Sequence, residues 1–110
     1  MKRPNYAPAY CALYPQMAEV FREHGYALAV HGTMGRDFDL VAAPWTDNAS
    51  DMHTVLEATC KAFAVETVGD AELRSHGRRV IAISFGFGEC FADVSFMPLQ
   101  PTDANLVPPE

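Results

Sequence analysis

The sequence predicts a small α+β domain in which a mixed or antiparallel sheet carries its helices on one face. Three observations predict this. The 110-residue chain can bury one hydrophobic core and is too short for two. Two stretches repeat apolar residues at helical spacing, and four others alternate or run apolar in the manner of strands.

Residues 1–13, which include Pro4 and Pro8 and show no sustained period, read as an N-terminal arm. Leu13, Met17, Val20, Phe21 and His24 recur at helical spacing, with Pro15 suited to a first turn and Gly25 to a terminator. A helix is therefore expected near 14–24. Residues 26–31 alternate large apolar with smaller or polar residues, and 38–43 do the same until Pro44 stops them. An antiparallel pair with its polar residues near the turn follows. Trp45, after Pro44, reads as a core lid or strand stop.

Met52, Val55, Leu56, Thr59, Cys60 and Phe63 form the clearest helical stripe, with Asp47, Asn48 and Ser50 as capping candidates. Residues 64–68 suit a short strand, before loop signals at Gly69-Asp70 and Ser75-His76-Gly77. Residues 79–85 and 90–97 read as two further strands around a turn. The domain is placed at 14–97, and 98–110, with four prolines, reads as a flexible tail.

Composition narrows the function. A 49% apolar chain of mean hydropathy -0.04 is expected to fold as a globule. Eight Lys and Arg against fourteen Asp and Glu leave a net charge of -6, which argues against extended gripping of nucleic acid. A local basic group, Arg74, His76, Arg78 and Arg79, suits contact with one anion. Cys11, Cys60 and Cys90 are odd in number and widely spaced, which argues against a zinc site; the two in or near regular elements read as buried thiols, and Cys60 lies on a packing stripe. No stretch is apolar enough to span a bilayer, so the expected location is the cytoplasm.

The chemistry concentrates in His31-Gly32-Thr33-Met34-Gly35-Arg36-Asp37-Phe38-Asp39. Asp37 and Asp39 leave the same strand face with origins about 7 Å apart. Two like charges so close call for a compensating partner, and a magnesium ion supplies one. Asp93 interrupts an apolar strand and becomes a third ligand if that strand lies beside 38–43. Gly32 and Gly35 permit close approach of backbone to phosphate, Thr33 offers a hydroxyl, and Arg36 can neutralise charge. His31 is placed to add a hydrogen bond, and Arg78 can bring a cation to the acidic face.

Gly32-Thr33, then Asp37-Phe38-Asp39, then Asp93 before Val94, resemble the signature of the nucleotidyltransferase superfamily. The resemblance covers 14–97 and implies a minimal nucleotidyltransferase-like core. It implies Asp37, Asp39 and Asp93 as catalytic magnesium ligands, with His31, Gly32, Thr33, Arg36 and Arg78 around a nucleoside triphosphate. Only Met34, Gly35 and Arg36 separate the glycine pair from the acidic pair, a shorter interval than family members usually have. The helical domain with which many of those enzymes hold base and acceptor has no counterpart here.

The His31-Gly32, Arg36–Trp45 and His76-Gly77-Arg78 elements are also similar to those of small bacteriophage and prophage proteins, which implies residence in a bacterial host cytoplasm. Two functions stay open at this point. One is nucleotidyl transfer from a nucleoside triphosphate to a hydroxyl; the alternative is a noncatalytic phage accessory protein that binds a host or viral protein. A homodimer using the acidic face only for stability is a third. An Asp-x-Asp pair is by itself a common turn cap, and Asp93 can instead accept a bond from Arg36, Arg78 or Arg79.

Overall fold

The computed structural model describes residues 6–35, 37–86 and 90–98. Arg36, the expected turn at 87–89 and all of the expected tail beyond Pro98 lie outside the described residues. In chain order the elements are α1 (Ala7–Glu23), β1 (Tyr26–His31), β2 (Asp37–Pro44), α2 (Met52–Phe63), β3 (Glu66–Leu73), β4 (Arg79–Ser84) and β5 (Phe91–Phe96).

The five strands form one mixed sheet in the order β1-β2-β5-β4-β3. Only β2 and β5 run parallel; the other neighbours are antiparallel. Period two divides the sheet into two faces. Phe38, Leu40 and Ala42 of β2 are fully buried, as are Ala92 and Val94 of β5 and Ile83 of β4. They join Met17 and Phe21 of α1 and Val55 and Leu56 of α2 in one core, so both helices cover this face. The intervening residues, Asp37 and Asp39 of β2 and Asp93 of β5, point to the open face.

α1 begins at Ala7, so residues 7–13, expected as part of an arm, are helical. Packing explains the difference. Tyr10 is fully buried and stacks on Phe38, with ring centroids 4.7 Å apart and planes 12° from parallel. That contact holds a helical turn which periodicity centred on Leu13 does not reveal. Pro15 then lies inside the helix, on its exposed side, where the backbone group it leaves unpaired can meet water. Gly25 ends the helix as expected: at φ +88, any Cβ would stand 2.6 Å from Thr46 Oγ1.

α2 is capped by Asp51, whose Oδ1 accepts the Thr54 N–H at 2.8 Å, rather than by Asp47, Asn48 or Ser50. That bond holds the Asp51 carboxyl below its ordinary pKa. β3 runs through Gly69-Asp70 instead of ending there. Gly69 takes φ +70 and the register with β4 shifts between Val68 and Glu72, so the glycine serves an irregularity within the strand rather than a loop after it. Trp45 is 62% exposed and is no core lid, although its backbone N–H does close onto Gly25 O at the end of β2. Cys11, Cys60 and Cys90 are free thiols.

Candidate active site

Three strands carry the polar cluster on the open face. In the β2–β5 pairing Asp39 is opposite Asp93, and Asp37 is opposite Phe91. In the β1–β2 pairing His31 is opposite Asp39. The three carboxylates thus leave the same side of the sheet. Phe38, between the two acidic residues of β2, is driven into the core beneath Tyr10, and the pleat turns Asp37 and Asp39 outward.

The electrostatics record their proximity. Burial pushes the Asp93 carboxyl above its ordinary pKa, and the charges of Asp39 and then Asp37 push it further; Arg74 acts in the opposite direction. Gly32, at φ +82, sits directly against this pair: a Cβ there would stand 3.0 Å from Asp39 Oδ2. The glycine is thus required twice, by its backbone angle and by the closeness of the carboxylate.

A cavity of about 190 Å³ opens over these residues, lined by His31, Asp39, Asp93, Ser95, Val80, Arg74 and Arg78. Ser95 and Val80 carry no functional signal in the sequence, and Arg74 is legible there only as one of the basic group. The backbone N–H of Arg74 donates to Arg78 O at 2.7 Å, closing a tight loop whose neck presents both arginines to the cavity. His76 inside that loop takes φ +65 and Gly77 φ +73. Arg74 pairs with Glu72 at 2.7 Å. Arg78 donates from Nε to Ser75 O at 3.2 Å and from Nη1 to Ser95 Oγ at 3.3 Å.

The expected residues do not all converge. Thr33 is exposed and does not line the cavity; its Oγ1 accepts the Gly35 N–H at a long 3.4 Å. Asp37 is exposed beside the cavity rather than in its lining. Arg36 lies outside the described residues. Among the described residues, no group of three or more His, Cys, Asp or Glu side chains stands gathered as a ready-made metal site. The donor chemistry at the centre nonetheless suits a hard divalent cation: two carboxylates at one level on neighbouring strands, about 5 Å apart at their origins, whose mutual repulsion Arg74 only partly offsets.

No family model matches the chain, and no curated protein matches it. The likeness to bacteriophage proteins gains nothing from either. Among solved structures the fold is that of a nucleotidyltransferase-like domain. It is similar to the Cid1 poly(U) polymerase, a structure with MgGTP bound, at a TM-score of 0.51 and 18% sequence identity. The match covers 83% of this chain and 32% of that one, so the chain spans about a third of the polymerase's length. At this identity the likeness is one of fold alone. No helix among the described residues is long and apolar enough to cross a membrane.

Proposed function

We propose that this domain transfers a nucleotidyl group from a nucleoside triphosphate to a hydroxyl-bearing acceptor. The observation that carries the reading is the register of Asp39 with Asp93 on parallel strands, beside a glycine at φ +82 whose Cβ would crowd the Asp39 carboxylate. Magnesium would be held by Asp39 and Asp93, with Asp37 at the flank, and would supply charge stabilisation at the transferring phosphorus.

The chain's own residues account for the other requirements. Gly32 leaves the backbone after β1 open to a phosphate oxygen. In the step, the acceptor oxygen forms a bond to the α-phosphorus, the bond from that phosphorus to the β-phosphate's bridging oxygen breaks, and pyrophosphate leaves. The acceptor's proton passes to Asp93, whose carboxylate lines the cavity over the paired strands.

The test is pyrophosphate release from a mixture of nucleoside triphosphates with magnesium or manganese and a panel of hydroxyl acceptors. Turnover that falls by about a hundredfold or more in both Asp39→Asn and Asp93→Asn is expected, the scale of losing a principal charge-stabilising group. Absence of turnover together with absence of triphosphate binding at millimolar concentration would retire the proposal.

A further inference from the structure

Arg78 brings a positive charge to the cavity that it shares with Asp39 and Asp93. It is half-buried, and its guanidinium is held by two neutral acceptors, Ser75 O and Ser95 Oγ. Among the described residues it makes no ion pair, whereas Arg22 pairs with Glu19 and Arg74 with Glu72. The 2.7 Å bond between Arg74 N and Arg78 O closes the loop, and the two side-chain bonds hold the guanidinium over β5. A guanidinium so positioned, with donors left over, is a receptor for a phosphate or carboxylate.

Its place in the sheet says which substrate it serves. Gly32 and the acidic pair of β2 lie toward the start of β5, level with Phe91 and Asp93. Arg78 contacts Ser95, on the same face of β5 but two residues further along, about 7 Å from Asp93. Asp93 therefore stands between the phosphate-approach side and the arginine.

The geometry points to Arg78 as the anchor for a phosphate carried by the acceptor: a small phosphomonoester whose free hydroxyl, several bonds from its phosphorus, reaches Asp93. Sugar phosphates and mononucleotides have this form. The assignment rests on the nucleotidyl-transfer reading for the fate of the hydroxyl, which would become a phosphodiester as pyrophosphate leaves. The acceptor is small on two grounds. The open cavity of about 190 Å³ seats the phosphate and the atoms next to it, with the rest of a small acceptor reaching out over the sheet face, and a chain of net charge -6 lacks the several cations that a long polyanion requires.

The experiment is a ¹H–¹⁵N titration of the full chain with adenosine 5′-monophosphate and, separately, with adenosine, both without divalent metal. The monophosphate is expected to shift the amides around Ser95 and Arg78 saturably, and adenosine is not. Arg78→Met should weaken the monophosphate at least tenfold while Arg79→Met leaves it unchanged. Ser95→Ala, which removes only one of the bonds that hold the guanidinium, should weaken it by a smaller factor and covers the case in which Arg78→Met does not fold. Equal affinity in wild type and both site variants, or no saturable shift at 10 mM, would overturn the site.

A second titration, with a non-hydrolysable triphosphate analogue and magnesium present, separates acceptor from donor. Simultaneous binding is the expected result, and competition would overturn the acceptor role by making Arg78 a ligand of the triphosphate. Monophosphate binding that depends on Arg78 in a protein that binds no analogue would sustain the phosphate site while retiring nucleotidyl transfer.

Discussion

Asp39 and Asp93 face each other across the parallel pairing of β2 and β5, with Gly32 close enough to Asp39 that even a methyl group would meet its carboxylate. The pairing places two like charges at one level of a sheet that is otherwise apolar beneath them. Such an arrangement costs stability unless something bridges it.

The pH dependence of folding should expose that cost. Asp93's carboxyl is raised above its ordinary value, first by burial and then by Asp39 and Asp37. The native chain therefore holds this proton more tightly than the unfolded chain, so this group's contribution to stability falls as pH rises from the ordinary carboxylate pKa through the raised one. Asp93→Asn should melt higher than wild type at pH 7. Because the group is partly exposed, the gain should stay below about 4 °C, the least shift that 1 kcal/mol gives in a domain of this size. Near pH 3 the difference should vanish; calorimetric melts at the two pH values make the comparison.

Magnesium should relieve the same repulsion. Thermal melts of the wild type are expected to rise with added magnesium, by about 1.4 kcal/mol of stability at ten times Kd. Asp39→Asn and Asp93→Asn should lose most of that response. An equal rise in all three proteins would mean that the metal binds elsewhere.

Gly32→Ala should separate stability from activity. Its φ of +82 imposes about 1–2 kcal/mol on any residue with a Cβ. The new methyl, 3.0 Å from Asp39 Oδ2, would also displace that carboxylate. Urea unfolding should show only the modest loss, while nucleotidyl transfer should fall far more than the stability loss explains.

The Tyr10–Phe38 stack should control the orientation of the acidic pair. Tyr10→Ala is expected to cost about 3–5 kcal/mol, the usual range for truncating a fully buried aromatic residue. Burial is the chief reason that the Tyr10 hydroxyl is pushed above its ordinary pKa, and a hydrogen bond with Cys90 adds to it. Tyr10→Phe keeps the stack and loses that bond, so about 1 kcal/mol is expected. Denaturant midpoints distinguish the two costs.

Period two made the acidic pair legible. Once Phe38 is assigned to the core, Asp37 and Asp39 must share the other face, and the same rule orients Asp93. Ser95 and the placing of the basic run were a different matter. A basic run between two strands carries no period, and it was the loop closure from Arg74 to Arg78 and the bond to Ser95 that turned it toward the carboxylates. The start of α1 and the length of β3 were hidden for related reasons. Tyr10 is held by a partner distant in sequence, and Gly69, a loop signal in isolation, is tolerated inside a strand because β4 resumes its pairing beyond it.

From local pattern alone came the two helices, the strands, their apolar faces and the direction in which each carboxylate leaves its own backbone. Those properties depend only on spacing along the chain, since 3.6 residues per helical turn and two per pleat are properties of the backbone itself. The order of the strands, the parallel register that sets Asp39 opposite Asp93, and the arrival of Arg78 at the end of the same face belong to the tertiary structure. Each depends on contacts between segments far apart in sequence, where packing of the shared core selects one register and one topology among those that the local pattern allows.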